Sequence, residues 1–342
     1  MPTAFFIIVI LMFAVIFVNG WTDAPNAIAT VVSTRVMSPK AAVKMAVVFN
    51  FLGVLVMTYV NSKVADTLSE IVTFRDDQQD QALVVFAAAM FAIVIWAVAA
   101  WYFGIPTSES HALIAGVTGA AIALGGADSI NMDKWKLVII GLLVSLLGFV
   151  MGYISVKLIE WIMKLISYVF KPINRTSANK FFSGGQVFGA MAMSFMHGAQ
   201  DGQKFIGTFI LGMSLAGKNV SQNSWEYTIL IVLCSLLMGI GTSVGGYRII
   251  KAVGMDMVKI DKYQGFGADI AASICLLLSS LTGIPVSTTH TKTTAIMGVG
   301  AAKSIRSVNW GIVGEMFSAW ILTFPGCGLI AFVMAKVFMH IF

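Results

Sequence analysis

The chain has 342 residues, 58% of them hydrophobic and only 11% charged, with a mean hydropathy of +0.87 and a net charge of +6. Soluble domains carry about 25% charged residues, so this composition excludes a water-soluble enzyme or binding domain and points to a chain that spans a bilayer. Three scattered cysteines (Cys234, Cys275 and Cys327) show neither metal-ligand nor disulfide spacing and read as small core residues.

A spanning helix needs about 20 apolar residues. Candidates in chain order are 4–33, 41–60, 82–104, 107–126, 137–156, 186–214, 227–246, 267–283, 286–302 and 309–338. The runs are continuous rather than alternating, which argues for helices and against a strand-built pore. The first is expected to be a retained helix and not a cleaved leader, because it lacks a basic start and stays apolar to Val32.

That first segment holds Asn19-Gly20-Trp21-Thr22-Asp23-Ala24-Pro25-Asn26-Ala27, an acid inside an apolar stretch beside Gly and Pro. Ionisable groups at such depth are costly and mark function by default. A carboxylate with amide oxygens beside an unwound helix suits a bound Na⁺ or H⁺; Asp23 and Asn26 are the candidates. The motif recurs 178 residues later as His197-Gly198-Ala199-Gln200-Asp201-Gly202-Gln203-Lys204. There Asp201 is the second candidate acid and Gln200 a neutral oxygen donor. Lys204 is expected either to neutralise Asp201 or to attract an anion.

A second string is also duplicated. Gly104-Ile105-Pro106-Thr107-Ser108-Glu109-Ser110-His111 returns 179 residues on as Gly283-Ile284-Pro285-Val286-Ser287-Thr288-Thr289-His290. Each should break an apolar helix into a re-entrant hairpin, because Pro lacks a donor and restricts the residue before it. Paired Gly/Pro interruptions at matching positions in two halves point to the binding site of a secondary transporter. The helix starting after each break offers free amides to an anion, aided by its dipole. Ser108 and Ser287 are the expected N-caps, and Thr107, Ser110, Thr288 and Thr289 lie beside them as candidate substrate or cation contacts. His111 and His290, three residues after those serines, are expected to be neutral and to bond back to the loop, since positive charge there would oppose the dipole.

The order of these motifs divides the chain into 1–160, a basic linker at 161–185, and 186–342. The joins 35–44, 157–180, 248–262 and 303–306 carry 3, 5, 4 and 2 basic residues, which makes them the expected cytoplasmic side and puts both termini outside. The two halves then enter from opposite sides. The expected fold is an all-α polytopic membrane protein built as an inverted repeat, each half with a broken first helix and a re-entrant helical hairpin. Neither H-E-x-x-H nor a phosphate-binding G-x-x-x-x-G-K-[ST] loop occurs, which leaves a membrane hydrolase or ATP-driven pump without its machinery. An anion channel is disfavoured because paired ionisable groups beside broken helices suit coupling.

Taken together, Gly20 to Ala27, Val48-Phe49-Asn50-Phe51-Leu52-Gly53, Gly104 to His111, His197 to Lys204 with Ile206-Gly207, and Pro285 to Lys292 resemble the inorganic phosphate transporter (PiT) family across almost the whole chain. The resemblance implies cation-coupled import of inorganic phosphate by alternating access, in the cytoplasmic membrane, by a homodimer. It implies that Asp23, Asn26, Ser108, Asp201, Ser287 and Thr288 line the phosphate and cation sites. Thr22 and Gln200 stand where the family usually has Asn. Asn50 stands where Na⁺-coupled members often carry Glu and proton-coupled ones Asn. The coupling ion is therefore left as Na⁺ or H⁺, and a carrier of the same architecture for sulfate or another oxyanion is the alternative. The expected partners are the anion and the bilayer, with no nucleic acid and no cofactor.

Overall fold

The computed structural model describes residues 2–103, 107–169, 174–218, 220–244 and 250–342. Helices dominate them, and eight of these are long and apolar enough to cross a membrane.

Helix α1 (Pro2–Thr22) is stopped by its own sequence. Pro25 cannot donate to the ladder, so the chain tightens into a 3₁₀ turn over Ala24–Ile28, with the Asn26 amide on the Asp23 carbonyl, before the short α2 (Ala29–Ser33). Helix α3 (Pro39–Val60) starts behind Ser38, whose hydroxyl accepts from the Ala41 amide. The short α4 (Lys63–Ser69) precedes α5 (Gln79–Phe103) and α6 (Glu109–Gly125). Helix α7 (Met132–Val169) runs for 38 residues and α8 (Arg175–Leu215) for 41. Helices α9 (Trp225–Val244), α10 (Lys262–Thr282), α11 (Thr288–Lys303) and α12 (Trp310–Ile341) complete the chain.

The second half's first helix, expected to break at Asp201, does not. Helix α8 continues through it. No proline lies there, so every amide stays in the ladder, whereas Pro25 removes a donor from the first copy. The segment 161–185 is likewise mostly the ends of α7 and α8. The Gly104-Ile105-Pro106 break lies outside the described residues. In the second hairpin, Gly283 closes α10 in the left-handed region at φ 76°, a conformation that suits a residue without Cβ.

Helices α8 and α11 are not among the eight candidate spans, because α11 has only 16 residues and α8 is too polar, and protein surrounds both. The polar side chains of α8 (Gln186, His197, Gln200, Asp201, Gln203, Lys204) are buried by protein, as is all of α11 from Thr288 to Gly300. Lipid exposure falls instead on helices such as α7, whose Leu143, Leu146, Leu147, Val150 and Ile154 face outward. Helix α8 packs against α3, α4 and α10, and α11 against α7 and α10. Helix α6 packs between α5 and α12, and α9 against α1 and α3. Polar groups thus occupy the centre and apolar ones the rim, as a chain solvated by lipid requires.

Candidate functional site

The starts of α6 and α11 meet the 3₁₀ turn after α1 and the middle of α8. Ser108 caps α6 by accepting from the His111 amide at 3.3 Å, and Ser287 caps α11 by accepting from the His290 amide at 3.1 Å. One orphan amide per helix is satisfied this way; the others near each start point outward along the dipole. The two imidazoles touch, with ring centroids 4.3 Å apart. His290 also stacks on Trp320 and His111 packs on Phe324. His111 Nδ1 and His290 Nε2 have no hydrogen-bond partner among the described residues. Aromatic packing holds both rings.

Both acids are buried at this junction, Asp23 at 1% exposure and Asp201 at 0%. Asp23 Oδ1 accepts from Asn26 Nδ2 at 2.8 Å and from the Thr289 hydroxyl, and Asn26 Nδ2 also reaches Thr289 Oγ1 at 2.9 Å. Asp201 Oδ1 accepts from Lys204 Nζ at 2.7 Å and Ser110 Oγ at 3.2 Å. Its Oδ2 accepts from Asn19 Nδ2 at 3.2 Å and Thr288 Oγ1 at 3.3 Å. Lys204 Nζ also donates to Ser110 Oγ at 2.7 Å and to the Val286 carbonyl at 2.6 Å, so the lysine pairs with Asp201. Ligand atoms of Asp23, Asp201 and His197 lie within 4.8 Å of one another, a group able to hold a metal cation.

Ten of the residues singled out from sequence therefore share one buried neighbourhood: Asp23, Asn26, Ser108, Ser110, His111, Asp201, Lys204, Thr288, Thr289 and His290. Ser287 caps α11, and Thr107 lies buried just before α6. Gln200 does something narrower than expected. Its Nε2 is 3.4 Å from the Leu276 and Ile284 carbonyls and its Oε1 takes the Val286 amide at 3.5 Å, so it holds the backbone of the second hairpin.

Other members were not assigned roles from sequence. Glu109 is buried and accepts from Thr22 Oγ1 at 3.3 Å. His197 has Nδ1 2.9 Å from Asn50 Oδ1 and Nε2 3.4 Å from Asp201 Oδ2. A further polar centre lies behind the first: Lys292 on α11 is ion-paired with Asp269 on α10, and Thr30 donates to Asp269 at 2.7 Å. Gln186 closes that group by donating to the Thr30 carbonyl at 2.9 Å. Opposite charges on neighbouring apolar segments were the available signal for the Asp269–Lys292 pair.

Buried acids, a cationic side chain and two capped helix starts, enclosed by apolar helices, define a membrane carrier for a small ion. Residues 19–331 match the model of the phosphate transporter family. The chain is 35% identical over 320 residues to a Bacillus subtilis (strain 168) protein named "Probable low-affinity inorganic phosphate transporter", covering 93% of this chain and 92% of that one. A Rhizobium meliloti (strain 1021) protein of the same name is 36% identical over 316 residues, covering 92% and 90%. A solved structure described as the sodium-dependent phosphate transporter shares the fold at a TM-score of 0.87 and 22% identity, covering 99% of this chain and 100% of that one. The chain belongs to the phosphate transporter family and is a multi-pass membrane transporter, not an enzyme.

Proposed function

We propose that the protein imports inorganic phosphate together with a cation, Na⁺ or H⁺, by alternating access. The observation that carries the reading is the meeting of two Ser-capped helix starts, α6 and α11, at two buried carboxylates. An oxyanion held there would accept from the first amides of both helices and from the Ser108 and Ser287 hydroxyls. Ser110, Thr288 and Thr289, whose protons go to Asp201 and Asp23, would line the site and give up those bonds to reach it. Those donors bring no net charge. The buried negative charge of Asp23, Asp201 and the anion exceeds what Lys204 offsets, so a cation entering with the anion is favoured electrostatically. Asp23 and Asn26 supply oxygens for it, as do half-helix sites in other secondary transporters.

Alternating access follows from an inverted repeat of 1–160 and 186–342, which the packing supports in paired form. Gly53 rests on the backbone of Phe195 and Ala199, and Gly241 on that of Phe17 and Trp21. The partners in these two contacts differ by 178 positions, the spacing of the duplicated Asp motifs. Gly119 against Gly328 and Gly298 against Phe149 repeat at 179. Isolated antiparallel bridges, Val72 with Ile130 and Val258 with Val308, form a third pair. Two re-entrant hairpins contributed from opposite sides would rock about a fixed central site. The assembly implied by the family resemblance is a homodimer in the cytoplasmic membrane, with both termini outside.

The test is uptake of labelled phosphate into proteoliposomes with the Na⁺ and proton gradients varied independently. Absence of uptake under either gradient removes the reading. Sulfate outcompeting phosphate would transfer it to another oxyanion.

A further inference from the structure

The two Asp motifs are not equivalent where they meet their cages. Asn26 and Lys204 are 178 residues apart, as are Asp23 and Asp201, while Ser110 and Thr289 are 179 apart. The first cage is thus Asp23, Asn26 and Thr289, and the second Asp201, Lys204 and Ser110. In the second, the Lys204 ammonium lies 2.7 Å from Asp201 Oδ1, 2.7 Å from Ser110 Oγ and 2.6 Å from the Val286 carbonyl, with the side chain 0% exposed. Three oxygens (carboxylate, hydroxyl and main-chain carbonyl) form the donor set that a hard cation takes. An ammonium has three protons and no acceptor, so these contacts use all of its capacity.

The first cage differs in the complementary way. Asp23 Oδ2 and Asn26 Oδ1 are buried oxygens with no hydrogen-bond donor among the described residues. Both oxygens of Asp201 have donors. A buried acceptor without a donor is expensive, and a cation satisfies it.

We propose that Lys204 is a built-in coupling cation. Its ammonium permanently fills the second cage, and the first cage, of Asp23, Asn26 and Thr289, is left to a single exchangeable Na⁺ or H⁺. The inference deepens the reading of this site as a cation-coupled phosphate carrier and rests on it. It assigns the stoichiometry: one cation enters through these cages per phosphate, because a tethered charge neutralises Asp201 without being transported.

The test has three arms on the full-length protein. In native proteoliposomes, the reversal potential of phosphate uptake gives the cations moved per phosphate, expected to be one; two or more overturns the proposal. In detergent, inorganic phosphate binding to Lys204→Asn is measured by calorimetry with NaCl replacing choline chloride. Without Na⁺ the variant should bind phosphate at least tenfold more weakly than the native chain, and Na⁺ should restore binding with a steeper dependence. Unaltered binding without Na⁺, or weak binding that neither Na⁺ nor a lower pH restores in a monodisperse protein, overturns it. The reciprocal Asn26→Lys should lower the number of Na⁺ or H⁺ linked to each bound phosphate by one, and an unaltered number counts against the proposal. Native protein that takes up no phosphate fails the transport reading itself, whereas native uptake with an unmoved cation dependence in Lys204→Asn fails only the assignment of Lys204.

Discussion

Asp201 has donors on both oxygens and a lysine against one of them, while Asp23 has Asn26 and Thr289 on one oxygen only. Removing the charge from each should therefore have different consequences. Asp201→Asn leaves the Lys204 ammonium buried without its counter-ion, a loss of about 3–5 kcal/mol. Asp23→Asn keeps an acceptor for both donors and should cost little folding stability while abolishing cation-driven phosphate uptake. Thermal midpoints in detergent, read by tryptophan fluorescence, should drop far more for Asp201→Asn than for Asp23→Asn; equal midpoints would refute the asymmetry. Ser108→Ala and Ser287→Ala each remove one hydroxyl at a helix start and should weaken phosphate affinity by about 1–3 kcal/mol, measurable by calorimetry. Unchanged affinity would reduce both serines to caps. Residue-level chemistry was readable where polar residues stood in apolar surroundings, as with Asp23, Asp201 and the Ser/Thr run after each break. Glu109 and His197 were present in the same strings, and the i,i+4 spacing of His197 and Asp201 was a local signal, but the contacts of Glu109 with Thr22 and of His197 with Asn50 bridge segments distant in sequence. No local pattern encodes those two long-range contacts.

At the scale of elements, Pro25 decides where the first copy breaks, whereas Pro325 lies inside α12, which continues through it. Pro25 ends α1 and the break was legible from it. Helix α8 carries the same acid without proline and continues unbroken. What the sequence could not convey was which helices are shielded from lipid: α8 and α11 have the polarity of surface segments but lie at the centre. The buried Asp269–Lys292 pair ties α11 to α10 and, through Thr30, to α2. Breaking one side of it leaves an uncompensated buried charge, whereas removing both sides does not. Lys292→Met is accordingly expected to destabilise the protein by about 3–5 kcal/mol, and Lys292→Met with Asp269→Leu by much less. The comparison of thermal midpoints for single and double variants decides this. A double variant as unstable as the single one would mean that the pair serves packing rather than charge balance.

At the scale of the whole molecule, the direction of insertion determines which half faces which side of the membrane, while the gradients set the direction of net phosphate flux, and the basic joins should fix the insertion. Residues 35–44, 157–180, 248–262 and 303–306 hold most of the Lys and Arg, so they are expected to stay in the cytoplasm. The loop between α8 and α9 then faces out. The three native cysteines are all buried, which makes the chain a quiet background for thiol labelling. Asn223, between α8 and α9, and Asn179, near the start of α8, are both exposed. A maleimide that cannot cross membranes, applied to intact cells, should label Asn223→Cys and spare Asn179→Cys until the membrane is permeabilised. The reverse pattern would invert the protein. Helix starts α6 and α11 would then approach the anion from exchanged sides, and because the two halves carry different cages, the cage that exchanges its cation would pass to the other half relative to the membrane.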